Sequence, residues 1–305
     1  MLGKRKGELW MDYRTDLAIE RKEIIDEENG KTGAPDGVAV EKADYGDDVK
    51  VTRIEIISRA GEMRMQKPMG NYITIEADGI LEERDGIKDK VENVIAAELK
   101  KLIKFHYYLN VLVVGLGNTT VTPDALGPEA ASKIRVTNHL FDMFEADGDD
   151  EMSRVSCLVP GVTAATGLET AEIIKKTAEL VKPEVIIVVD SLAARNIERV
   201  STTIQISDTG ISPGAGMGNK RTGINSETVG ARVVAIGVPT VIDATTIIRD
   251  ALADNIDSAE KVEKYIEEYD RHMIVTSTDI DMLIKDFSDI IANGINKTLH
   301  PGIYS

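Results

Sequence analysis

Two aspartates stand where an α/β fold would hold them over the end of its sheet. Asp124 follows the run Val111-Leu112-Val113-Val114 by way of Gly115-Leu116-Gly117-Asn118 and Thr122-Pro123, and Asp190 directly follows Val185-Ile186-Ile187-Val188-Val189. β-Branched apolar runs of this kind form strands covered on both faces, and open α/β sheets place their chemistry at the carboxyl ends of such strands. A carboxylate pair held there is a candidate for acid and base work, one member taking a proton from water while the other supplies one. Each aspartate also has a purely structural reading. Thr122-Pro123-Asp124 has the form of a helix start, with Thr122 as cap and Pro123 in the first turn, and Asp190 with Ser191 could cap a short helix after its strand. Asp243, which closes Val238-Pro239-Thr240-Val241-Ile242, is a third candidate.

Other chemistries have weaker support. The histidines His106, His139, His272 and His300 lack the H-E-x-x-H spacing of a zinc protease. Cys157 is the single cysteine and sits in the apolar run Val155-Ser156-Cys157-Leu158-Val159, so a buried structural thiol is expected and internal disulfides are excluded. Gly115-Leu116-Gly117 opens like a dinucleotide fingerprint, but Thr120 takes the place of the third glycine and no acidic residue closes a second strand at the required spacing. These glycines are expected instead to let the chain turn tightly against the sheet end. Gly210-Ile211-Ser212-Pro213-Gly214 matches a serine nucleophile elbow in pattern only, because the elbow needs the N–H that Pro213 lacks. The glycine-rich stretch from Ser207 to Gly230 is expected as a loop bordering the site. Within it Lys220 and Arg221 are candidates to contact an acidic substrate side chain.

The elements that must position these groups are set by patterning. With 305 residues and 42% of them apolar, the chain can bury a sizeable core. Period-two runs at 49–56 and 72–77 predict half-buried antiparallel strands, giving a small antiparallel β appendage over roughly 37–86. From Lys88 the period turns helical, and beyond it buried strands at 111–114, 155–159, 185–189 and 233–238 alternate with helices at 124–143, 168–181 and 243–255. That alternation predicts a largely parallel central sheet flanked by helices. A last helix opening at Thr278 carries Ile280, Leu283, Ile284, Phe287, Ile290, Ile291 and Ile295 on one face, which is core. The 36 basic and 52 acidic residues leave a net charge of −16, a field that disfavours direct nucleic-acid binding. Neither a membrane span nor a signal peptide is visible, so a cytoplasmic location is expected.

Several long segments also resemble the germination protease family of endospore-forming bacteria, endopeptidases that degrade small acid-soluble spore proteins. They are Arg14-Thr15-Asp16-Leu17-Ala18, Val113 to Asn118, Val121 to Pro128, Leu192-Ala193-Ala194-Arg195, Ile204 to Asp208 and Gly218 to Arg221. The resemblance implies an α/β fold similar to hydrogenase-maturation endopeptidases, a homotetramer in the spore core, and a zymogen that removes its own propeptide. Family substrates are cut after an acidic and before a bulky apolar residue. Thr15-Asp16-Leu17-Ala18-Ile19-Glu20 has that form, which puts the processing bond between Asp16 and Leu17. On this basis residues 1–16 are the propeptide, 17–86 an N-terminal segment with the β appendage, and 87–305 the catalytic core. The essential aspartates of the family fall on Asp124 and Asp190, and no cofactor is implied. A divalent metal held by the same carboxylates is the alternative mechanism, and a non-catalytic peptide-binding module is the alternative from another class. Longer members carry an insertion that is absent here around 254–271, which bears on oligomer contacts.

Overall fold

The computed structural model describes residues 15–30, 33–106, 108–144, 152–214, 221–252 and 273–304. Their strands are β1 (Val38–Asp44), β2 (Lys50–Ile56), β3 (Gly70–Glu76), β4 (Asn110–Gly115), β5 (Arg154–Leu158), β6 (Val185–Ala194), β7 (Thr203–Ser207), β8 (Arg232–Asp243) and β9 (Ile274–Val275). All belong to one sheet in the order β1-β2-β3-β7-β8-β6-β4-β5, with β9 on the end of β8. The centre, β8-β6-β4-β5, is parallel. β1, β2, β3 and β7 add antiparallel strands on one side. The expected appendage is therefore an antiparallel wing of the same sheet, and the sheet as a whole is mixed.

The unbroken apolar character of β4 and β6 has a direct cause. Val111, Val113, Val185, Ile187 and Val189 pack into one cluster with the helices Ile87–Leu102, Leu126–Ser132 and Ile280–Leu299. The alternate residues Leu112, Val114, Ile186 and Val188 pack on the other face with the helix Thr170–Val181. Both faces are covered, so neither set of side chains has a reason to be polar. A third cluster holds Leu17, Ala18 and Ile19 against Ile54, Ile56, Tyr72, Leu192 and Ala194. It seats the helix Ala18–Asn29, which the sequence did not suggest because its apolar residues are few and show no stripe.

Three departures from the expected elements shape the site. The helix expected over 124–143 is a 3₁₀ turn at Thr122–Asp124 and two short helices, Leu126–Ser132 and Asn138–Phe144. It breaks between them because the Arg135 N–H donates to Asn296 Oδ1 and the Thr137 N–H to the Val155 carbonyl, which removes them from a helical ladder. β6 does not stop at Val189 but continues to Ala194, since β8 offers it a partner as far as Ile242. Pro239 is tolerated inside β8 because the β6/β8 register shifts between Leu192 and Ala193, where no N–H is required of it. Asp190 thus lies within a strand, and the capping role considered for it with Ser191 does not arise.

Candidate active site

β4 ends at Gly115, paired with Val189, while β6 runs five residues further. From β4 the chain crosses to β5 on one side and then to β6 on the other, so β4 and β6 flank a topological switch point, where α/β sheets open a crevice. The segment after β4 turns back across this opening and carries Asp124 into it. The Leu116 N–H donates to the Val189 carbonyl at 2.8 Å and the Asn118 N–H to the Asp124 carbonyl at 2.9 Å. Thr240 on β8 donates through Oγ1 to the Pro123 carbonyl at 2.7 Å. Glycine is required at two points of this turn. Gly117 has φ +119°, and a Cβ there would meet the Asp124 carbonyl oxygen. A Cβ on Gly127 would meet the backbone oxygens of Leu116 and Val189.

Asp124 and Asp190 line one cavity of about 290 Å³, together with Asp16, Gly117, Glu169, Leu192, Pro213, Arg221 and Thr240 among others. Burial raises the Asp124 carboxyl from 3.8 to about 6, opposed by the Asn118 N–H and the positive charge of Arg221. Asp190 is buried, and its carboxyl is pushed well above the usual range, first by burial and then by the charges of Asp124 and Asp16, while the Ser191 N–H, 2.9 Å from Oδ1, opposes the rise. Both carboxyls are raised inside one cavity and the Asp124 charge acts on Asp190, so their titrations are coupled. Such a pair can take a proton from water at one oxygen and deliver one from the other.

Asp16 sits at the edge of this cavity, fastened to β6. Its N–H donates to the Ala193 carbonyl at 3.0 Å, and its carboxylate Oδ2 accepts the Ala193 N–H at 2.9 Å. Its carbonyl oxygen accepts from Lys67 Nζ at 2.9 Å and Gln205 Nε2 at 3.0 Å. Beyond it, Leu17 is fully buried, and the Ala18 N–H donates to Gln205 Oε1 at 2.7 Å. Glu20 closes the segment. Its buried carboxylate accepts the N–H groups of Arg195 and Asn196 at 2.8 and 2.9 Å and the Thr15 hydroxyl.

The remaining sequence candidates separate clearly. Arg221 is on the cavity rim, exposed, with Nη1 donating to Thr163 Oγ1 at 2.8 Å. Lys220 lies outside the described residues, as does the 254–271 stretch. Pro213, Gly214, Arg221 and Thr222 of the glycine-rich stretch line the cavity, as expected of a loop bordering the site. Asp243 is a helix cap, its Oδ1 accepting the N–H and hydroxyl of Thr245, and it is not in the cavity lining. Burial lifts the Cys157 thiol to about 11, which keeps it protonated. His106 pairs with Glu184 and His300 with the Arg135 carbonyl, both away from the carboxylates. Among the described residues no group of three or more His, Cys, Asp and Glu side chains is disposed to hold a metal ion, and no helix is long and apolar enough to cross a membrane. The sequence reading missed Lys67 and Gln205. Thr203, Gln205 and Ser207 alternate with isoleucines along β7 and are all buried, so a polar inner face was there to be seen; for Lys67 there was no signal.

The family model for germination proteases matches residues 16–264. The chain belongs to the germination protease family. It is 43% identical to a germination protease of Caldanaerobacter subterraneus subsp. tengcongensis, with 96% of each chain covered. It is 42% identical to one of Clostridium perfringens, again over 96% of each. With a germination protease of Bacillus pumilus it shares 37% identity over 95% of this chain and 94% of that one. Among solved structures it is similar to a [NiFe] hydrogenase maturation protease from Thermococcus kodakarensis, at 15% identity and a TM-score of 0.36, over 65% of this chain and 99% of that one. The strand order and the flanking helices make the fold α/β. Membership in the germination protease family makes the chain a peptidase, and its carboxylate cavity is the place to seek the chemistry.

Proposed function

We propose that this member of the germination protease family hydrolyses peptide bonds with Asp124 and Asp190 as a proton-sharing pair, and that it first cuts itself between Asp16 and Leu17. One observation carries the reading. Asp16, the acidic residue of the acidic-then-bulky pattern, lines the same cavity as two aspartates whose carboxyls are raised by burial. In the reaction, water adds its oxygen to the Asp16 carbonyl carbon and gives a proton to the ionised carboxylate of the pair. The C–N bond then breaks, and the Leu17 nitrogen takes the proton that the other carboxyl held. One water is consumed, and an α-carboxyl and an α-amino group are made. The same geometry then serves small acid-soluble spore proteins cut after an acidic and before a bulky apolar residue, with Arg221 on the rim placed to meet acidic side chains. A homotetramer in the spore core completes the proposal.

The test is mass spectrometry of the purified full chain over time. Wild type should lose residues 1–16 as a single fragment, and Asp124→Asn and Asp190→Asn should each stay intact while retaining the far-UV spectrum of the parent. Maturation of either variant at the wild-type rate would remove the pair from the mechanism.

A further inference from the structure

Hydrolysis needs more than a base for water. The carbonyl oxygen gains a full negative charge as the tetrahedral intermediate forms, and it must be met by preorganised donors. Asp124 and Asp190 are poorly suited to that task, since one is ionised and the other has its proton committed to the leaving nitrogen.

We propose that Lys67 and Gln205 are the electrophilic half of this active site, gripping the carbonyl oxygen of the residue before the cut and stabilising the negative charge that develops there. The inference rests on the reading of Asp16-Leu17 as the bond cut. Its support is geometric. In the uncut chain Lys67 Nζ and Gln205 Nε2 lie 2.9 and 3.0 Å from the Asp16 carbonyl oxygen, so both donors already face the atom that would take on negative charge. They line an adjoining cavity that shares Asp16 and Leu192 with the one holding the aspartates, and they arrive from separate elements. Lys67 comes from the turn between the helix Arg59–Met65 and β3, and Gln205 from the middle of β7, where it faces Thr74 on β3 and Gly237 on β8. Neither donor depends on the other for its place. Gln205 also spans the bond, since its Oε1 takes the Ala18 N–H. The Asp16 main chain and side chain are tied to Ala193 of β6, three residues after Asp190, so the oxygen is held toward the donors from behind.

The grip addresses main-chain atoms and not the acidic side chain, so it would serve any substrate residue in that position, in this chain or in another. Burial lowers the Lys67 ammonium below its usual range, with Asp16 opposing. Lys67 is partly buried, so its charge is screened less than that of a fully exposed lysine.

Lys67→Met, Lys67→Arg and Gln205→Glu in the full chain test the proposal. Lys67→Met should slow loss of residues 1–16 by on the order of 10²- to 10³-fold, and Lys67→Arg, which keeps a charged donor, should recover part of the loss. Gln205→Glu keeps the acceptor for the Ala18 N–H but puts an oxygen where the donor stood, and should be slow as well. The matured enzyme, cutting a peptide with an acidic-then-bulky bond, should lose kcat with KM little changed on Lys67→Met. A residue that merely seated the N-terminal segment would leave that kcat alone. A folded Lys67→Met chain that matures at the wild-type rate, or a fall confined to KM, would overturn the grip. If Asp124→Asn and Asp190→Asn matured normally too, the reading of the bond and its site would fall with it; if they stalled, only the grip would.

Discussion

Replacing Asp124 by asparagine should make this protein more stable while stopping its chemistry. The Asp124 carboxyl is raised from its ordinary 3.8 to about 6. A carboxyl raised on folding keeps its proton to higher pH in the folded chain than in the unfolded one. Its effect is absent below about pH 4 and grows as pH rises through the window up to about 6, where the folded state must give up a proton it would rather hold. Each tenfold change in an acid constant is worth about 1.4 kcal/mol, so the ionised Asp124 costs the fold about 3 kcal/mol at neutral pH. The group is only partly buried, so solvent screens part of this cost and a net gain of about 1 to 2 kcal/mol is the expected outcome. Urea unfolding of wild type and Asp124→Asn at pH 4 through 8 measures this, with wild type confirmed intact by mass spectrometry before each run. The two curves should coincide near pH 4 and separate above pH 6, the variant on top. A variant less stable than wild type at pH 7, or an offset that does not change with pH, would refute the placement of Asp124 in a part-dry cavity beside Asp190.

The rate of self-cutting should rise with pH through about 6, as the pair loses its first proton, and fall again at higher pH as Asp190 loses the second; a rate independent of pH between 5 and 8 would count against a shared proton. Gly127→Ala should cost about 3 kcal/mol of stability in urea unfolding, because the new methyl meets two backbone oxygens that cannot move aside, and a loss below about 1 kcal/mol would mean that the turn is loosely packed. Cys157, with its thiol lifted to about 11, should react with iodoacetamide at pH 7.5 far more slowly than free cysteine until the chain is unfolded.

The candidate site was readable from the sequence to the extent that it is built of strands. Val111–Val114 and Val185–Val189 declared themselves by continuous apolar character, and the residues after such a strand in an α/β sheet fall at its carboxyl end. The errors arose where the partner, and not the segment, decides. β6 extends past Asp190 because β8 runs alongside it, and Pro239 alone would have argued for an earlier end. The helix Ala18–Asn29 exists because Leu17 and Ile19 find a pocket made by β2, β3 and β6, a contact that local pattern cannot reveal. Lys67 is invisible for the same reason. A single lysine in a turn becomes meaningful only when the fold brings the Asp16 carbonyl to it from 51 residues away.

The charges that the proposed cut would create bear on how the enzyme passes from self-cutting to other substrates. Before the cut, Leu17 is fully buried and its N–H donates to Thr15 Oγ1 at 3.0 Å. Afterwards the same nitrogen is an α-ammonium in an apolar pocket, which the fold tolerates poorly unless the group is paired. The new α-carboxylate of Asp16 is different, since Lys67 and Gln205 already surround that oxygen. The two products thus experience opposite forces, the upstream end retained by its donors and the downstream end driven from its pocket. Glu20 resists that second movement, because its carboxylate is bonded to two N–H groups at the end of β6. Release of residues 15 and 16 would leave the cavity open on the side facing β6, with Ala193 once more offering an N–H and a carbonyl to an extended peptide. A substrate that added itself there would place its own acidic residue where Asp16 had been, under the same two donors.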